Sequence, residues 1–289
     1  MQASFGSRPV PGGGVELELL GPWDPAAEEA FLASGADGLV INYARGFQGH
    51  DLEFLRGLPL RRVNVLARTI SDLKPVESLA DQLVELRLQT GHRSRIDLGL
   101  FSQLRALSCN WAQVAETIAD CSSIEDLYLG EYDPEDLQPL THLPNLRSLR
   151  MKDRPAIRRL DGFEALPKLS SLEIHLAPLD DLHALAETRS PVLHRLALGS
   201  CRAITELGPL QGLSSLRELD ISESGSIESL QPLRSLAALE QLYLYGSTRV
   251  TDGDLTPLLG LTRLVDLRMM NRRHYAPSVR AVKESLGIE

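Results

Sequence analysis

From Leu60 almost to the C-terminus the pattern Leu-x-x-Leu-x-Leu recurs with little interruption. Clear copies are Leu83-Val-Glu-Leu86-Arg-Leu88, Leu146-Arg-Ser-Leu149-Arg-Met151, Leu216-Arg-Glu-Leu219-Asp-Ile221 and Leu239-Glu-Gln-Leu242-Tyr-Leu244. The first positions fall at Leu60, Leu83, Leu104, Ile124, Leu146, Leu169, Leu193, Leu216, Leu239 and Leu264, so neighbouring starts are 20 to 25 residues apart. A unit that short cannot bury its own apolar face and must do so against its neighbours, which makes a solenoid. A length of 289 residues permits one or two globular domains. The unbroken series instead predicts one continuous stack.

Inside each unit, leucines at positions 1, 4 and 6 point inward, and positions 3, 5 and 7 alternate outward along a short parallel strand. The outward residues form the expected concave face. The series Ile204-x-x-Leu207-x-x-Leu210-x-x-Leu213 recurs as Ile227-x-x-Leu230-x-x-Leu233-x-x-Leu236. Spacing by threes predicts short helical or 3₁₀ turns on the convex side. Pro139, Pro209 and Pro232 stand at matching places, where they suit the start of a turn and oppose long helices.

Residues 1–14, rich in Gly, Ser and Pro, read as a flexible tail. Residues 15–59 read as an N-terminal cap with a degenerate first repeat: a strand at Val15–Leu19, a helix behind Asp24-Pro25 stopped by Gly35, and a strand at Leu39–Asn42. About ten repeats occupy 60–271. The segment 272–289 holds a terminal helix, with Ser278 as N-cap and Gly287 as stop, that is expected to cover the last coil.

A net charge of −9 argues against nucleic acid as partner, because that binding needs a basic footprint. Three cysteines without metal or disulfide spacing point to a reducing compartment. With no apolar run long enough to span a bilayer and no basic-then-apolar start, the expected address is the cytoplasm, and the expected state a monomer. No cofactor or metal is expected: no Walker loop, G-x-S-x-G, H-E-x-x-H or dinucleotide fingerprint occurs.

These repeats resemble the leucine-rich repeat family over roughly Leu39 to Met270. The short units, such as ITELGPLQGLSSLRELDIS, look like bacterial internalin repeats, while ALGSCRAITEL and YLYGSTRVTDGDL look like the cysteine-containing subclass. The resemblance implies an α/β solenoid with a parallel sheet on its concave face, and protein recognition as its use. It also implies Asn or Cys at position 9. Here Cys201, Ser224 and Ser247 take that place, preceded by Arg68, Gly91, Ala112, Tyr132, Arg154 and Ala177, so the usual Asn ladder is missing.

On the outward face the residues singled out for partner binding are Trp111, Tyr128, Tyr132, Arg150, Lys152, His175, Glu218, Asp220, Tyr243, Tyr245, Arg268 and Met270. Exposed aromatic rings and arginines dominate interface hot spots, and mixed charges suit a polar protein partner. A Cys201–His175 or Cys201–His194 nucleophile pair is weighed against a buried structural thiol, and the latter is preferred. The expectation is a non-catalytic scaffold for a protein or peptide. The alternative is a dedicated inhibitor or immunity protein that blocks a partner enzyme or toxin.

Overall fold

The leucines at positions 4 and 6 are buried at almost every repeat, and each pair anchors one short strand. In the computed structural model, residues 5–9, 13–188 and 190–288 are described. They form two compact units that divide between Tyr128 and Leu129.

In the N-terminal unit, β1 (Phe5–Pro9) pairs antiparallel with β2 (Val15–Leu19). Thus part of the segment expected to be a flexible tail is a sheet strand, and residues 1–4 and 10–12 of that segment lie outside the described residues. The sheet then continues in parallel through β3 (Gly38–Asn42), β4 (Arg62–Leu66), β5 (Glu85–Gln89) and β6 (Ala106–Asn110). Helix α1 (Pro25–Ser34) starts where Asp24 Oδ1 accepts from the Ala27 amide at 2.8 Å and ends at Gly35, φ 67°. A short helix α2 (Lys74–Glu77) follows β4. The aromatics scarce elsewhere gather here: Trp23 stacks on Phe54 with ring centroids 4.7 Å apart, and meets Phe31 at 5.9 Å and Phe5 at 6.2 Å. Strand β7 (Asp126–Gly130) carries the division between the units.

In the C-terminal unit, β8 (Ser148–Lys152), β9 (Ser171–Ile174), β10 (Arg195–Ala197) and β11 (Glu218–Asp220) lie side by side in chain order, all parallel. Helix α3 (His183–Thr188) replaces a 3₁₀ turn between β9 and β10. The two-residue strands β12 (Ser226–Ile227) and β14 (Arg249–Val250) pair with each other, while β13 (Gln241–Leu244) and β15 (Asp266–Met269) extend the main sheet beyond β11. The chain closes on α4 (Val279–Leu286), capped by Ser278 Oγ at the Ala281 amide and by Gly287 at φ 71°. Return segments are 3₁₀ turns at Gln138–Leu140, Gly208–Gly212, Gln231–Ser235 and Thr256–Gly260, each with a proline in its first turn, as the triplet spacing predicts.

Two features of the turns in this unit qualify the sequence reading: a left-handed position that it did not mark, and the position-9 rungs that it placed at Cys201, Ser224 and Ser247. Position 8, just after each strand, is left-handed in turn after turn: Glu131, Asp153, Leu176, Ser200 and Glu223 have φ between 53° and 62°, and Gly246 follows at 70°. The second is a polar ladder beneath that turn. Cys201 Sγ donates to the Ile174 carbonyl at 3.6 Å, Ser224 Oγ to Leu198 at 3.0 Å, and Thr248 Oγ1 to Ile221 at 2.7 Å. Thr248, not Ser247, is the third rung, because the turn after β13 is one residue longer; Ser247 is exposed. Thr248 Oγ1 also accepts from the Ser224 amide at 3.0 Å, tying the rungs together.

In the N-terminal unit a glutamine instead ties two successive turns together through side-chain hydroxyls. Buried Gln113 donates from Nε2 to Thr90 Oγ1 and Ser94 Oγ, both at 2.8 Å, and accepts from the Asn110 amide.

Candidate functional site

In the C-terminal unit the inward residues Leu149, Leu172, Leu196, Leu219, Leu242 and Leu267 are all buried, so strand alternation turns positions 3 and 5 outward. The register then fixes the lateral order of the face. Arg150 pairs with Glu173, Glu173 with Ala197, Ala197 with Asp220, Asp220 with Tyr243, and Tyr243 with Arg268. Ladder bonds past the strand ends, from Ser200 N to the Ser222 carbonyl and from Glu223 N to the Tyr245 carbonyl, carry this order to position 7.

Two of the twelve residues singled out in the sequence are not on an accessible face. Trp111 is only 8% exposed, because it opens a 3₁₀ turn directly after β6 that folds it under the strand end. Tyr132 is 1% exposed: it occupies position 9, which points into the coil, and its hydroxyl donates to the Asp136 carbonyl at 2.7 Å. Burial pushes the Tyr132 phenol well above its usual range, with Asp136 adding to the shift. Tyr128, in the N-terminal unit, is half-buried on β7.

The other nine fall on the outward face of the C-terminal unit; seven of them form two groups, and Arg150 and Asp220 belong to neither. Lys152 Nζ lies 2.9 Å from Glu173 Oε1 and His175 Nε2 lies 2.8 Å from the same oxygen, while Arg195 reaches toward both Glu173 (3.9 Å) and Glu218 (3.5 Å). Burial alone would raise the Glu173 carboxyl, but bonds from Lys152 and His175 outweigh it and hold the group below its ordinary value. Glu173 is thus the hub of a network for which the sequence offered no signal beyond its place in the position-5 column.

The second group is built on Tyr243. Its hydroxyl donates to Asp266 Oδ2 at 3.0 Å, and the Arg268 guanidinium lies 4.9 Å from its ring centroid while also bonding Asp266 at 2.9 Å. Burial raises the Tyr243 phenol, and the Asp266 carboxylate raises it further. Next to this clamp, Tyr245 (46% exposed) and Met270 (54%) follow the paired residues Leu244 and Met269 and so sit side by side. This is an apolar step beside a preorganised charged ridge.

Nothing in this arrangement resembles a nucleophile with its base. Cys201 is fully buried, and burial pushes its thiol up to about 11, away from the reactive thiolate. Among the described residues no group of three or more His, Cys, Asp or Glu is placed to hold a metal ion.

No protein-family model matches this chain. A Roc-COR-CHAT protease from an unknown prokaryotic organism is 27% identical over 128 residues, which cover 44% of this chain and 12% of that protein. The match therefore spans less than half of this chain and a small part of that relative. Among solved structures, an internalin (InlF) from Listeria monocytogenes str. 4b F2365 superposes with a TM-score of 0.60 at 18% identity, covering 89% of this chain and 83% of the other. The functional domain of InlJ from Listeria monocytogenes, which includes a cysteine ladder, gives 0.50 at 16% identity, covering 75% and 50%. At such identities the likeness establishes the fold, a leucine-rich repeat solenoid.

Proposed function

We propose that this chain is a non-catalytic scaffold that recognises a protein or peptide through the outward face of the sheet in its C-terminal unit. One observation carries the reading: Tyr245 and Met270 stand exposed and adjacent, flanked by the Tyr243 and Arg268 side chains, which Asp266 already locks in place. Burying the two apolar groups against a partner gains free energy in proportion to area. The locked charges lose little conformational freedom on binding, which is the main cost of an interface. The leucine-rich repeat fold supports the reading by supplying a broad strand face.

We propose in addition that the protein is a cytoplasmic monomer. The three cysteines are free and buried, which fits a reducing compartment. Among the described residues no helix is long and apolar enough to cross a membrane. The acidic balance, −9 overall, favours a partner with basic groups over nucleic acid.

A tagged Tyr245→Ala/Met270→Ala double variant tests this in capture from the native host. Loss of a central aromatic anchor costs about 2 kcal/mol or more, so partner recovery falls by at least about tenfold. An Arg234→Ala control on the 3₁₀ side leaves recovery unchanged. Equal recovery by the double variant would contradict the proposal.

A further inference from the structure

Along the exit rim of the strands in the C-terminal unit, the left-handed position is filled in turn by Asp153, Leu176, Ser200, Glu223 and Gly246. All but Leu176 are polar or glycine, types that suit an exposed turn. Leu176 is apolar, 55% exposed and held at φ 60°, a region that an L side chain adopts at a cost to stability. Water gives a leucine nothing in return, because apolar surface gains free energy only when it is covered. A local rule broken at the surface without an internal gain points to a contact made outside the chain.

The same rim leads to the exposed pair Tyr245 and Met270. Past the strand ends the Leu176 amide donates to the Gly199 carbonyl at 3.0 Å, the Ser200 amide to Ser222 at 2.8 Å and the Glu223 amide to Tyr245 at 3.1 Å, so the turns continue the order of the sheet. Leu176 follows β9 and Tyr245 lies just past β13, with β10 and β11 between them. Three strand spacings of about 4.8 Å separate the two by about 14 Å. Between these apolar groups the rim is polar, with Ser200 and then Glu223. Glu223 Oε2 accepts from the Ser247 amide at 3.1 Å, and among the described residues Glu223 has no cation as ion-pair partner.

We infer that Leu176 is a second apolar anchor for the partner, and that the partner presents an extended segment with aliphatic side chains four residues apart and a lysine or arginine between them. An extended chain advances about 3.4 Å per residue, so four steps cover about 14 Å, the interval from Leu176 to Tyr245. An amphipathic helix carries an apolar residue about every 5 Å and would set its middle ones against Ser200 and Glu223. The basic residue answers the Glu223 carboxylate, and the net charge of −9 favours its approach. This inference rests on the reading of the strand face as a recognition surface and adds an anchor, with the spacing and charge of its occupant.

The test uses the full chain against immobilised libraries of acetylated nonapeptides. Two leucines stand two, three, four, five or six residues apart, one lysine lies between them, and Ser, Thr and Asn fill the rest. The spacing of four is retained at least about fivefold above the others, since only it covers both anchors. Leu176→Asn accepts the left-handed backbone; it lowers that retention about tenfold, the worth of one covered leucine, while the urea midpoint holds or rises. Glutamate in place of the lysine lowers retention severalfold. Retention without a spacing preference, retention of no library, or retention unchanged by Leu176→Asn overturns the inference. So does a midpoint that falls with retention, which would make Leu176 a structural residue. Capture of the native partner separates the two readings: if Leu176→Asn captures it fully and the Tyr245/Met270 variant does not, the recognition surface stands and this inference falls.

Discussion

Leu176 holds a left-handed backbone, φ 60°, with its side chain 55% exposed. A β-carbon in that region clashes with the following carbonyl, at a cost of about 1–2 kcal/mol, and an exposed leucine recovers little of it. Leu176→Gly therefore stabilises the protein by about 0.5–1 kcal/mol after allowing for the extra freedom of glycine in the unfolded chain. A urea melt checks this, and a loss of stability would mean that the leucine makes contacts that matter. The left-handed position escaped the sequence because Glu, Asp, Leu, Ser and Glu fill it in successive repeats, and only Gly246 has the residue type that announces it. Among the proposed binding residues, Tyr243, Tyr245 and Met270 were legible because alternation counts outward from the buried leucines. Trp111 and Tyr132 were misplaced because that count stops at the strand end, where the turn reverses the side chain.

At the level of the repeat, the strand and its 3₁₀ return were readable from spacing alone, since Leu at three and four residues and Pro at a fixed place each have a direct geometric meaning. The turn between them was only partly readable. Its carbonyls at position 6 must be paired once buried, and the chain meets that need with whatever short donor reaches: Cys201, Ser224 or Thr248. The longer turn after β13 shifts the donor from Ser247 to Thr248, a displacement that a fixed repeat template cannot show. Ser224→Ala removes donors to the Leu198 and Ser222 carbonyls and costs about 1–3 kcal/mol, whereas Ser247→Ala stays within about 0.5 kcal/mol. Equal losses in thermal melts of the two variants would return the rung to Ser247. The antiparallel strand β1 and the ring cluster of Phe5, Trp23, Phe31 and Phe54 belong to no period, so a reading built on periodicity passed over them.

For the molecule as a whole, leucine stacking explains the architecture of both units, and the acidic balance favours, for the proposed recognition, a partner that tolerates or seeks negative charge. The proposed recognition has a direction: it assigns the partner to the outward strand face of the C-terminal unit and not to the 3₁₀ turns behind it. Both sides offer exposed groups, Tyr245 on the first and Arg234 on the second. The most direct measurement replaces each in turn with a photoreactive benzoyl-phenylalanine and irradiates the protein with its native partner. A covalent adduct from position 245 and none from 234 is the predicted result; an adduct from 234 with none from 245 would contradict it.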